Sequence, residues 1–216
     1  MHKNKDKRMN VMTINSTAYC LSDFQTETGA REISLVLQSI EGTSINQAVC
    51  DLLNQLHNFL KDKNVDLKHI IFSRIYLSDI ENQKNTVLNS EFYKAVCEGA
   101  VSVVGQIPLN CGPASALISF IVPPKEELYD KKVSFHNDGW RNDLYLKMKN
   151  YGVLWNGNYH GSKGASDSQT QELFTSLKDN LDKNEMTLLK NSIRSWIYVR
   201  DVDNNYKGMV DERREF

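Results

Sequence analysis

Leu189–Asn204 reads LKNSIRSWIYVRDVDN, and Leu67–Asn82 reads LKHIIFSRIYLSDIEN. The two stretches align without a gap, each residue 122 positions from its counterpart. Leu67 and Leu189, Lys68 and Lys190, Ile75 and Ile197, Tyr76 and Tyr198, Asp79 and Asp201, and Asn82 and Asn204 are identical pairs. An offset of that size is too long for a solenoid repeat and close to a whole small domain. The chain therefore reads as two copies of one domain.

Working outward from the first copy, AYCLSDF (18–24) and REISLVLQSI (31–40) are strand-like runs split by the turn-prone TETGA. In the second run Ile33, Leu35 and Leu37 alternate with Ser34, Val36 and Gln38, the period of a half-buried strand. Ser44 or Thr43 offers an N-cap, with Gln47 three residues after Ser44 as in a capping box. Val49, Leu52, Leu53, Leu56, Phe59 and Leu60 then share one helical face. HIIFSRIYLSD (69–79) is a β-branched and aromatic strand, NTVLNSEFYKAVC (85–97) a helix, and AVSVVGQ and SALISFIV two further strands around the turn-rich PLNCGPA. The order β-β-α-β-α-β-β predicts an α+β fold with helices on one face of a mixed sheet.

The second copy begins near Tyr145, with strands at 145–149 and 153–156, a Gly/Ser/Asn-rich loop, a helix over 167–184, the repeated strand at 193–202 and a second helix from Tyr206. Phe174 and Leu181 fall at the positions of Leu52 and Phe59. Two closing strands present in the first copy have no counterpart, so the second unit reads as incomplete. The resulting division is an arm (1–17) read as disordered, a first domain (18–124), a linker (125–144) and a truncated second domain (145–216).

Lys plus Arg (26) nearly balances Asp plus Glu (27), for a net charge of −1. Beyond HKNKDKR near the N-terminus nothing clusters positive charge, which argues against a nucleic-acid groove. No apolar run approaches the roughly 18 residues that cross a bilayer, so a cytoplasmic protein is expected, without membrane partners. Cys20, Cys50, Cys97 and Cys111 show no metal-ligand spacing. Cys50 reads as a small core residue, and reduced thiols are the simplest account. No cofactor or metal is implied, and His160 reads as a surface histidine.

The element order, the helix leading into LKHIIFSRIYLSDIEN and the hairpin VSVVGQIPLNCGPASALISFIV resemble the reactive-intermediate deaminase (RidA/YjgF, endoribonuclease L-PSP) family. The resemblance implies a chorismate-mutase-like fold, oligomers and small-molecule sites in clefts between protomers. RSWIYVRDVDNNYKGMVDERREF is similar to the fused-repeat branch that includes the chorismatases. There an Arg-x-Trp-x-Tyr strand precedes a helix bearing an Arg and a Phe, here Arg194, Trp196, Tyr198, Arg214 and Phe216. Members of that branch continue into a further RidA-like domain, so the site is expected to need a further domain or subunit.

For the deaminase chemistry, the resemblance implies an arginine near Gly99 to bind a carboxylate and an acid near Ser119 or Ile121 to position water. Neither is present, and the first domain is expected to be inactive; no catalytic residue is assigned. Arg194 and Arg214 could converge on an anionic, carboxylate-bearing metabolite, chorismate-like or an enamine or imine, or be taken up by Asp201, Asp203 or Glu212. Trp155 and Trp196 could wall a ligand or pack in the core. If active, the protein would be a hydrolase/deaminase or a chorismatase-like lyase. The alternative is a non-catalytic oligomeric binding or scaffold module. The ribonuclease reading is disfavoured by the neutral charge. Ser166–Asp167–Ser168 is expected to cap the helix that follows.

Overall fold

Alternation decides β3 (Arg31–Gln38): Ile33, Leu35 and Leu37 are buried on one side. In this computed structural model, which describes residues 10–14, 17–27, 29–124, 129–162 and 164–216, with side chains from Leu21 onward, β3 pairs with β2 (Thr17–Gln25), and β2 with β1 (Asn10–Ile14). The chain then enters α1 (Ile45–Lys63), whose first turn is capped by Ser44 accepting from the Gln47 N–H at 3.2 Å. Asn64 ends it in the left-handed conformation at φ 51°. A single 3-10 turn, Leu67–His69, leads into β4 (Ile70–Leu77). Helices α2 (Ile80–Leu88) and α3 (Glu91–Val96) precede β5 (Ala100–Gly105) and β6 (Ala114–Val122).

The six strands form one mixed sheet in the order β1-β2-β3-β6-β4-β5, parallel only between β4 and β5. A parallel pair needs a crossover, which α2 and α3 supply. Leu52, Leu56 and Phe59 of α1 pack on Ile33, Leu35, Ile75, Ile118 and Phe120; Phe59 and Phe120 meet with ring centroids 5.3 Å apart. Each fully buried side chain of this size contributes about 1.5–3 kcal/mol, so this helix-to-sheet layer is the main source of stability.

A second, antiparallel sheet, β7-β8-β9, follows: β7 (Asp130–Phe135), β8 (Asn142–Lys147) and β9 (Gly152–Gly157). A smaller core joins Leu144, Leu146 and Met148 to Ile71, Phe72 and Ala100. Asn142, fully buried, acts as one residue of an extra strand. Its Oδ1 accepts from the Val101 N–H at 2.6 Å and its Nδ2 donates to the Val101 carbonyl at 3.0 Å. β5 is the end strand of the larger sheet, so these are groups an uncovered edge leaves without partners. A Cβ at Gly157 would overlap the Val101 carbonyl oxygen, and only glycine admits so close an approach.

The chain divides into two compact units, Met1–Gly157 and Asn158–Phe216. The second holds α4 (Ser166–Lys183), α5 (Leu188–Asn191) and α6 (Val202–Arg213). Helices α4 and α6 pack together, with Phe174, Leu181 and Met209 buried.

Several expectations are corrected. Residues 10–14 of the stretch read as a disordered arm form β1, because β2 offers them a ladder; residues 1–9 lie outside the described residues. The stretch read as linker carries β7 and the start of β8, and β8 and β9 fall in the first unit. The single helix over 85–97 is two, because Ser90 leaves the first and caps the second, accepting from Tyr93 N–H at 3.1 Å. Cys50 is exposed, one step round the helix from buried Val49. The N-cap of α4 is Ala165, which contributes no side-chain bond.

The largest correction concerns 193–202. It is not a strand: 192–199 belong to no helix or ladder, and α6 begins at Val202 after Asp201 at φ 48°. A strand requires a neighbour to complete its backbone hydrogen bonds. β4 has β5 and β6 on its two sides, and among the described residues no strand is laddered to 192–199.

On β7, Lys131 donates from Nζ to the Lys68 carbonyl at 2.6 Å. Burial pushes this ammonium down to about 8, against the opposing pull of Glu98. The folded value lies below the ordinary 10.5, so the unfolded chain binds more protons between those values and stability rises with pH across that window. Cys97, raised by burial to about 11 from 9.0, acts oppositely above about pH 9. Urea unfolding between about pH 7.5 and 9 should therefore show wild type gaining stability relative to Lys131→Met. Parallel curves would refute the assignment.

Candidate functional site

In the first unit, Gly99, Ser119 and Ile121 stand where the resemblance implies an arginine and an acid. A Cβ at Gly99 would lie 2.8 Å from the Ile71 carbonyl carbon and 2.9 Å from its oxygen. No side chain, and so no arginine, fits there without moving β4. Ser119 and Ile121 are half-buried on β6 and carry no acid.

The structure brings forward one cation that sequence reasoning passed over. Arg74 is only 4% exposed. Its strand alternates, placing Phe72, Arg74 and Tyr76 on the face away from Ile75 and Leu77. The guanidinium carbon sits 5.1 Å from the Phe72 ring centroid, and Ser102 of β5 and Leu117 of β6 are its register neighbours. Burying a charge is expensive. The signal lay in the sequence: a single cation inside IIFSRIYL, at the position 122 residues before Trp196.

In the second unit residues 192–196 are all exposed, and exposure alternates only from Trp196 to Arg200. Ile197 and Val199 are half-buried, whereas Arg194, Trp196 and Tyr198 are exposed, Trp196 at 53% and Tyr198 at 45%. The Arg194 guanidinium lies over the Trp196 ring at 5.4 Å from its centroid, a contact worth about 0.5–1 kcal/mol at an exposed site. Among the described residues no carboxylate pairs with Arg194, so Asp201, Asp203 and Glu212 do not take it up. Arg214 pairs with Asp211 at 3.5 Å, and Lys207 pairs with the same carboxylate. The Lys207 hydrogen bond holds Asp211 below the ordinary carboxylate range, partly opposed by desolvation and assisted by the charges of Lys207 and Arg214. Phe216 stacks on Phe174 at 5.5 Å. Trp155, in β9, is half-buried against the smaller core of the first unit. Arg194 and Trp196 are thus in contact and Tyr198 is exposed two residues further on, while Arg214 is engaged on α6.

Two open clefts lie in the first unit. One of about 610 Å³ is lined by Leu60, Lys61, Asn64, Leu67, Lys68 and Glu98. One of about 540 Å³ lies between α1, α2 and α3, beside Asn46, Cys50, Leu53, Asn85 and Phe92. Neither includes Arg74 or any candidate named from the sequence. On the hairpin of β7 and β8, buried Asp143 bonds a His136 ring nitrogen and the Asn156 amide, each at 2.5 Å. Among the described residues no group of three His, Cys, Asp or Glu side chains is placed to hold a metal ion. No helix is long and apolar enough to cross a membrane.

No protein-family model and no curated protein sequence matches the chain. Solved structures do. A chorismatase matches with TM-score 0.52 at 13% identity, over 93% of this chain and 70% of that one. A member of the YjgF/YER057c/UK114 family from Mycobacterium tuberculosis matches at 17% identity over 41% of this chain and 79% of its own, with TM-score 0.34. A YjgF-family protein from Neisseria meningitidis matches at 14% identity, 47% and 93% coverage, and TM-score 0.31. The chorismatase likeness shows the fold alone: this is an α+β chain with a chorismatase-like fold.

Proposed function

We propose that this protein is a RidA-like, chorismatase-like binder of a carboxylate-bearing small molecule, held by Arg194 against Trp196 and Tyr198, and that residues 1–216 do not turn it over unaided. The observation that carries the reading is Arg194 itself, exposed, laid over the Trp196 ring and without a carboxylate among the described residues. A guanidinium presents a planar fork that fits a carboxylate through two parallel bonds. The neighbouring aromatic rings offer an apolar face for a ring or an enamine. The likeness to the fused-repeat branch supports a site shared with a further domain or subunit, and so an oligomeric protein. The non-catalytic reading of the first unit rests on Gly99, Ser119 and Ile121.

Titration with chorismate, followed by tryptophan fluorescence and by NMR of the Arg194 guanidinium, tests this. Arg194→Ala should weaken binding by about ten- to a hundredfold, the loss of a charge-assisted pair. The protein should leave 2-aminoacrylate-type imines unhydrolysed. Equal affinity in Arg194→Ala, or no binding by wild type at millimolar ligand, refutes the reading.

A further inference from the structure

The segment 192–200 carries the residue pattern of a buried central strand and is not laddered to any strand among the described residues. The contrast with its repeat is large. Ile71 is 7% exposed and Ile193 88%; Arg74 is 4% exposed and Trp196 53%. Residues 192–199 are in no helix or ladder, Ile193, Trp196 and Tyr198 are exposed, and only Ile197 and Val199 are half-buried. An exposed apolar segment with the residue pattern of a strand can recruit another strand.

We infer that the occupant is the same segment of a second copy, paired antiparallel about Trp196. The residues themselves select this register. Centring on Trp196 uses the whole segment, with Ser192 opposite Arg200 and Ile193 opposite Val199. Arg194 then faces Tyr198 of the partner subunit, a cation–aromatic pair made twice, and the two Trp196 rings adjoin. Moving the centre to Ile197 would set Arg194 opposite Arg200, a like-charge pair made twice. Moving it to Ser195 leaves Val199 and Arg200 without opposite residues. A one-residue slip would turn one copy over, because side chains alternate faces. About Trp196, the half-buried Ile197 and Val199 of both copies stay on one face of the ribbon, and Arg194, Trp196 and Tyr198 of both copies share the other. The inference stands apart from the ligand reading, since association is read with no ligand present.

The test is sedimentation equilibrium of the full chain from about 1 to 200 μM, with hydrogen exchange at both ends of that range. The expected result is a dimer whose added amide protection falls on 193–199. Tyr198→Arg places an arginine opposite Arg194 twice and should weaken the dimer about tenfold. Adding Arg194→Glu to that variant makes both cross-strand pairs opposite in charge and should restore it. A single variant that merely unfolds the segment would not be rescued. A monomer throughout, a dimer indifferent to Tyr198→Arg, no rescue in the double variant, or protection at another edge each overturns the proposal. So does a chain that stays monomeric but gains protection at 193–199 when its own Ala95–Val122 is appended after Phe216, because the occupants would then be strands of the β5 and β6 type, which flank β4.

Discussion

Asn142→Ala is expected to lower the free energy of unfolding by about 2–6 kcal/mol, a large share of the 5–15 kcal/mol that holds a typical domain together. The magnitude follows from what remains. The Asn142 amide satisfies both the N–H and the carbonyl of Val101, at a place where Asn142 and Val101 are fully buried. Removing it leaves a donor and an acceptor without partners, each costing about 1–3 kcal/mol. The gap is too confined by Gly157 for easy relaxation. Urea unfolding read by circular dichroism gives the loss, and hydrogen exchange at Val101 should rise well above that of its neighbours on β5. Asn142→Leu keeps the volume and loses both bonds, so it should be about as damaging. A loss below about 0.5 kcal/mol in both variants would show that Val101 finds other partners.

Phe59→Ala should cost about 3–5 kcal/mol, and Leu181→Ala, at the equivalent position of the second unit, nearer to 2 kcal/mol. Phe59 is wholly buried and meets Phe120 ring to ring at 5.3 Å. Truncating it empties the space between α1 and the six-stranded sheet, where close packing permits little collapse. Leu181 is 8% exposed, on a helix whose packing partner is α6 rather than a sheet. Smaller contact area and an easier collapse both reduce its cost. Paired urea titrations decide the matter. Equal losses would mean that the second unit packs its helix as tightly as the first.

The first unit was largely legible. Period-2 alternation in REISLVLQ, a 3/4-spaced apolar face after Ser44, and β-branched runs over 70–77 and 114–122 each fixed one element, and the elements agreed with one another. The helix over 167–184 was legible for the same reason. The candidate residues were legible as residue types, but their surroundings were not. Arg74 was overlooked because exposure is a property of the assembled sheet. Cys50 was misplaced because Val49 beside it already faces the core.

The repeated stretch shows where the division lies. The sequence by itself determined that Leu67–Asn82 and Leu189–Asn204 share a pattern, that each can extend, and that a helix follows each within a few residues. The 3.6- and 2-residue periods are local properties, carried by the side chains wherever the chain goes. Tertiary structure alone decided that the first copy is a strand and the second is not. A strand is completed by hydrogen bonds to a neighbour remote in sequence: β4 has β5 and β6, and 192–199 has no laddered neighbour among the described residues. The same dependence governs Asn142 and Val101, 41 positions apart, which no local pattern would have paired.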